Sequence, residues 1–251
     1  MRRIPSCILL CGLAVGAWLL CTGCALWQRA VPAGARWDVP ELAEGLNVDG
    51  RLTEACYRDH PALTNFVIAG NPSAQPQPTR AWLFWNLERL IIAFDVNDAQ
   101  IVAAPETDRE HDVDAQDRAE VFLRSGRTDA PYYCIEVGAR GAVHDYSARF
   151  YRRFDDGWAP AGMKAAAAET AGGYQVEIEL PRAALEADGF KLQAGERLRC
   201  GLFRADFTPG QPESPTWITW VDAHTKQPDF HVAGAFGEIV LRGRPRAQAA
   251  P

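Results

Sequence analysis

Residues 108–117, Asp-Arg-Glu-His-Asp-Val-Asp-Ala-Gln-Asp, hold five acids in ten positions, the densest set of potential ligands in the chain. Carboxylate oxygens suit Ca²⁺, a hard cation that takes six to eight of them, and Asp112, Asp114 and Asp117 are the candidate ligands. The run lacks the Asx-x-Asx-x-Asx-Gly spacing of an EF-hand loop, so a solvated acidic loop stands beside the calcium reading. Arg204, between Phe203 and Ala205 on an apolar strand, needs an acidic partner, and Asp206 or Glu120 could supply it. Phe230 offers a flat ring and His231 a ring nitrogen; the competing roles are a core aromatic beside Phe236 and a loop-fixing histidine. Covalent or hydrolytic chemistry finds no support, because GxSxG, HExxH and P-loop patterns are all absent. A glycosidase would need two carboxylates flanking a cleft, and no acid sits in such a motif. Beyond the N-terminal segment Met163 is the sole methionine, which disfavours a Met/His haem site; a bis-His site from His111, His144, His224 or His231 stays open.

Strands must hold these groups in place. Residues 79–96 read as a hairpin, with Ala81, Leu83 and Trp85 on one face, Trp82 and Phe84 on the other, and a turn over 86–89. In residues 118–124, Ala119, Val121 and Leu123 oppose Glu120 and Phe122. Residues 132–137 alternate again and turn at 139–142 into 143–145. Residues 174–180 put Val176, Ile178 and Leu180 opposite Gln175, Glu177 and Glu179, a half-buried strand ended by Pro181. Pro181 also suits the start of a helical turn. Residues 198–207, 217–221 and 237–241 complete the strands. Residues 164–171 have helix-forming composition, although their Gly172-Gly173 exit suits a hairpin equally. Trp82, Trp85, Trp158, Trp217 and Trp220 are expected in the core, and Trp217 and Trp220, three apart, face opposite sides. Many short strands with Gly/Pro turns predict an all-β, antiparallel β-sandwich, one domain over residues 41–243 with a loose tail at 244–251.

The chain has 251 residues, 47% of them apolar and 10% aromatic, including eight Trp, so a packed core is required and pervasive disorder is excluded. Its net charge of −6, without a Lys/Arg block, argues against nucleic acid. Arg2 and Arg3 precede a short apolar run over 8–20, as in a signal peptide covering residues 1–23. Leu20-Cys21-Thr22-Gly23-Cys24 resembles a bacterial lipobox, with Cys21 where Leu is usual; Cys24 would take the lipid and so meet the membrane. Ordinary secretion, with cleavage after residues 33–35, is the alternative. Export follows either way, to the outer membrane if Cys24 is lipidated and to the periplasm or the outside if it is not, and residues 24–40 then read as a tether. Cys56, Cys134 and Cys200 are an odd set without zinc spacing, expected as inert thiols rather than a disulfide.

Six segments in order resemble the family 9 carbohydrate-binding modules: Leu46 to Glu54 (LNVDGRLTE), the hairpin over 79–98, Gln116 to Leu123 (QDRAEVFL), Gly173 to Pro181 (GYQVEIELP), Phe203 to Asp206 with Trp217, and Asp229 to Val232 with Phe236-Gly237. The resemblance implies a jelly-roll-type sandwich that binds glycans without catalysis. It also implies an aromatic clamp, of which Asp114 stands at one position and Phe230 at the other, while Glu136 and Gly138 lie where Arg and Asn are expected. From it we expect Phe230 to stack on a sugar ring, Glu120 and Arg204 to bond hydroxyls, and His231 to sit at the rim. All four should share one concave sheet face. A structural or protein-interaction role on the same fold is the rival expectation.

Overall fold

Alternating apolar residues bury one face of a strand against another layer, and here both faces of both sheets are covered. A computed structural model describes residues 35–43, 45–103, 110–127 and 130–244. Its first elements are β1 (Arg36–Pro40), the short helix α1 (Ala55–Asp59), β2 (Val67–Ile68), β3 (Thr79–Trp85) and β4 (Arg89–Asn97). A 3-10 turn at Glu110–Ala115 leads into β5 (Arg118–Arg124), β6 (Tyr132–Gly138), β7 (Val143–Arg149) and β8 (Arg153–Asp155). Then come β9 (Lys164–Thr170), β10 (Gly173–Pro181), α2 (Arg182–Ala187), β11 (Arg197–Thr208), β12 (Gln211–Thr219) and β13 (Gly237–Arg242).

The smaller sheet has the order β3-β4-β10-β9 and the larger runs β1-β13-β11-β5-β6-β7-β8. Strand β11 is long enough to pair β13 over its first half and β12 over its second, on the same edge. Among the described strands every pairing is antiparallel except that of β1 with β13. The expected sandwich is the observed one.

Between the sheets lies the main core. Leu83, Trp85, Ile92, Phe94, Val176 and Ile178 of the small sheet meet Val121, Ile135, Leu202, Ile218 and Ile239 of the large one. Each such side chain contributes about 1.5–3 kcal/mol when taken fully out of water. The outer face of the small sheet packs Trp82, Phe84 and Ile91 against Tyr57 of α1 and Leu46 and Leu52. The outer face of the large sheet carries a second aromatic cluster, with Phe122, Tyr132, Tyr146 and Phe203 under Phe230, Ala235 and Phe236.

Two expectations change and one open reading closes. Residues 36–40 form a sheet strand rather than part of a tether. Residues 164–170 are strand β9, because β10 offers them a complete ladder and pairing overrides Ala-rich propensity. Glu177 and Glu179 are buried rather than solvent-facing. Glu177 takes the Asp49 and Gly50 N–H groups at 2.9 Å each and the Tyr57 hydroxyl at 2.7 Å, which pins the Asp49-Gly50 turn onto β10. Gly50 is required there, since its φ is +79° and a Cβ would stand 2.6 Å from the Ala167 backbone. Finally, Glu179 is covered by Arg89, at 2.6 Å, and Lys164, at 3.3 Å. Cys56, Cys134 and Cys200 are free thiols, as expected; Cys134 and Cys200 lie in cores on opposite faces of the large sheet.

Candidate functional site

Strand register decides which polar groups meet. Arg118, Glu120 and Phe122 share the outer face of β5, and Glu120 pairs directly with Glu136 of β6 and Phe203 of β11. The next strand, β7, adds His144 opposite Glu136 and Tyr146 opposite Cys134. A loop over residues 222–236 and the segment around β8 wall this face. Two adjoining cavities result, about 280 and 150 Å³, sharing Arg118, Glu136 and His231.

Arg118 is the hub. Its Nε–H donates to Glu136 Oε2 at 2.7 Å, and its Nη1 to the Asp114 carbonyl at 2.9 Å. Its guanidinium carbon lies 5.6 Å from the Trp217 ring centroid, a cation–π distance. Burial works against the guanidinium charge, but Glu120, Glu136 and Asp114 outweigh it and raise the Arg118 pKa. Tyr146 donates its hydroxyl to Glu136 Oε1 at 2.7 Å, so both Glu136 oxygens are engaged. Glu120 is different. Its Oε1 stands 3.0 Å from Arg118 Nε, yet that N–H is spent on Glu136, and the buried oxygen has no hydrogen bond. Burial, then the facing Glu136 charge, raises the Glu120 pKa well above the ordinary carboxylate range.

Of the expected site residues, Phe230, Glu120 and His231 line the groove and Arg204 does not. Phe230 is only 6% exposed: one face stacks on Phe203, at 4.1 Å and 14°, and Trp217 meets it edge-on at 5.5 Å. It is chiefly a packing aromatic whose remaining edge reaches the smaller cavity. His231 accepts or donates at Nδ1 with the Tyr132 hydroxyl, 3.0 Å away, and lies against Phe122 and Phe154. Burial, with help from Arg152, holds its imidazole down to about 4. Arg204 pairs in register with Ala119, on the inner face, where its side chain is 0% exposed. There it bonds Asp98 at 2.8 Å and the Asn97 carbonyl at 3.2 Å and approaches Asp206 at 3.2 Å, tying the end of β4 to the large sheet. Expected to bond a ligand, it ties the sheets together instead.

The acids of the 108–117 run part company. Asp117 lies beside Asp98 and Asp206. Its two oxygens take the Phe207 and Val102 N–H groups at 2.5 Å each, and burial raises its pKa. Asp114, on the 3-10 turn, joins His111 and His144 instead, and Asp112 is in neither group. The three calcium candidates therefore share no site among the described residues.

Sequence reasoning missed Arg118, Glu136, His144, Tyr146, Phe154 and Asp229 as groove residues. Parity with Glu120 pointed to Arg118, but the β5–β6 and β6–β7 registers were needed for the rest. Asp229 holds the covering loop: Arg152 reaches it at 2.9 Å and Tyr151 at 3.0 Å. Trp217 is half-buried rather than core, and Phe154, 47% exposed, stands at the mouth of the larger cavity.

A β-sandwich whose outer sheet face carries a groove of aromatic rings and fixed polar groups has the architecture of a small-ligand binding module. The chain belongs to the carbohydrate family 9 binding domain-like family, whose model matches residues 48–244. A family 9 module from Caldicellulosiruptor kristjanssonii, solved in complex with cellotriose, is 17% identical; 86% of this chain and 98% of that chain are covered, with a TM-score of 0.57. A family 9 module from that organism in complex with glucose gives 17% identity, 86% and 100% coverage, and a TM-score of 0.57. A structure from Bacteroides uniformis ATCC 8492 is 13% identical over 82% of this chain and 99% of the other, with a TM-score of 0.61. At such identities the likeness establishes a shared fold. No curated protein matches the chain.

Proposed function

We propose that the groove over β5, β6, β7 and β12 binds a carbohydrate without cleaving it. The observation that carries this reading is Trp217, a half-buried ring on the wall of a cavity also lined by Arg118, Glu120 and Asp229. Trp217 offers a partly open ring for the apolar C–H face of a pyranose, and Arg152 and Asp229 at the rim offer polar groups to its hydroxyls. Phe154 at the mouth supplies a second ring. Around the two cavities stand Asp114, Glu120, Glu136, Asp156 and Asp229 against Arg118 and Arg152, so neutral glycans fit better than uronates. Binding rather than hydrolysis is favoured because both central carboxylates converge on Arg118. The cellotriose and glucose complexes of the C. kristjanssonii module support the ligand class.

The test is calorimetric titration with neutral gluco-oligosaccharides and with oligouronates. Saturable heat with the neutral set, reduced ten- to hundredfold in affinity by Trp217→Ala, is expected. Absence of heat with every glycan would overturn the reading and favour a protein-interaction role.

We further propose that the chain is exported and lipidated on Cys24. The support is the basic, apolar and small-residue sequence ending at that cysteine, all outside the described residues. Among the described residues no helix is long and apolar enough to cross a membrane.

A further inference from the structure

At the open end of the larger cavity three ligating side chains converge from two elements. His111 and Asp114 come from the 3-10 turn and His144 from β7, and each offers one donor atom within 4.8 Å of the other two. The Asp114 carboxylate already bridges the rings, with Oδ1 2.9 Å from His144 Nδ1 and Oδ2 3.3 Å from His111 Nδ1. Ligands held tetrahedrally about 2.0–2.2 Å from a zinc ion stand roughly 3.3–3.5 Å from one another, so this cluster needs little movement to close on one. The His144 side chain is 6% exposed and is held against Asp114 through Nδ1, so its ring is fixed where the three ligands converge.

We infer that His111, Asp114 and His144 form a site for a divalent transition-metal ion of the zinc class. Two imidazoles and one carboxylate select such ions over Ca²⁺, which prefers an all-oxygen shell of six or more ligands. Water can complete the shell, while Asp156, whose Oδ2 lies 3.8 Å from His111 Nε2, faces that ring's other nitrogen. The nearby Arg118 does not oppose the ion, since its ion pair with Glu136 offsets its charge. The side chain of His111 is 66% exposed, which leaves the site open to ions from solvent. This inference stands whether or not the groove takes a glycan.

The test uses the full chain stripped with chelator and titrated with zinc chloride, with calcium chloride as the parallel arm. Expected are one zinc ion bound per chain, no saturable calcium uptake at the same site, and a zinc-dependent rise in melting temperature. His111→Ala and Asp114→Asn, both at exposed positions, should melt like the wild type in chelator. Each should weaken zinc binding tenfold or more and abolish the zinc-dependent rise. Cobalt in place of zinc should give visible absorption that both variants lose. Failure of the wild type to bind zinc, or zinc affinity unchanged in both variants, would overturn the site.

Discussion

Arg118 Nε lies 2.7 Å from Glu136 Oε2, a buried ion pair across adjacent strands of the groove floor. Removing the cation strands the Glu136 carboxylate away from water. Arg118→Met should therefore destabilise the fold by about 3–5 kcal/mol, the usual cost of breaking a buried pair. Urea denaturation would measure it, and a loss under 1 kcal/mol would show that the pair is dispensable.

Glu120 should behave in the opposite way. Its folded pKa is raised, so between about pH 4.5 and that raised value the native state holds a proton the unfolded chain releases. Stability from this group is present below about pH 4.5 and is lost as pH rises through the folded value. Glu120→Gln, which keeps the neutral shape, should be neutral or stabilising above pH 7 and should flatten the decline. Denaturation midpoints across pH for both proteins decide it.

Trp217 and Phe230 touch, yet they should separate binding from folding. Trp217→Ala should cost glycan affinity on the order of 1–3 kcal/mol with a small change in melting temperature. Phe230→Ala opens a cavity beside Phe203 and should cost about 3 kcal/mol of stability. Equal stability losses in the two variants would place Trp217 in the core.

His231 gives a pH dependence of its own. Its folded value of about 4 lies below the ordinary 6.5, so the unfolded chain takes up a proton that the native state declines. The contribution is full above about pH 6.5 and is lost as pH falls toward 4. His231→Asn should lessen the acid sensitivity of the unfolding midpoint, and an unchanged profile would refute a buried neutral ring.

For the N-terminus the expected outcome is palmitate labelling of the wild type in cells, abolished by Cys24→Ala. Labelling that survives the substitution would leave ordinary secretion as the route.

Face parity was legible in the chain wherever a strand alternates cleanly. Ala119, Val121 and Leu123 lie in the inner core and Phe122 in the outer, as read. Strand β9 was not legible, because Lys164–Thr170 reads equally as helix until β10 supplies its hydrogen bonds. Nor was β1, whose five residues are strand only through pairing with β13, some two hundred positions away.

The site shows the same division at closer range. Chemistry-bearing residue types are fixed locally: Glu120 on an alternating strand, Phe230 beside His231, acids crowded before β5. Which of them meet depends on register, because side chains alternate between faces with a period of two. Phe203 pairs with Glu120 and Arg204 with Ala119, so one step along β11 sends Arg204 through the sheet to Asp98 and away from the groove. The same rule carries His144 from a separate strand to Asp114, thirty residues before it. Sequence alone determined the sandwich and its polar inventory, since hydrophobic alternation acts over a few residues. Tertiary structure decided the groove, because a hydrogen-bonded ladder joins distant segments in one register and each side chain inherits its face from it.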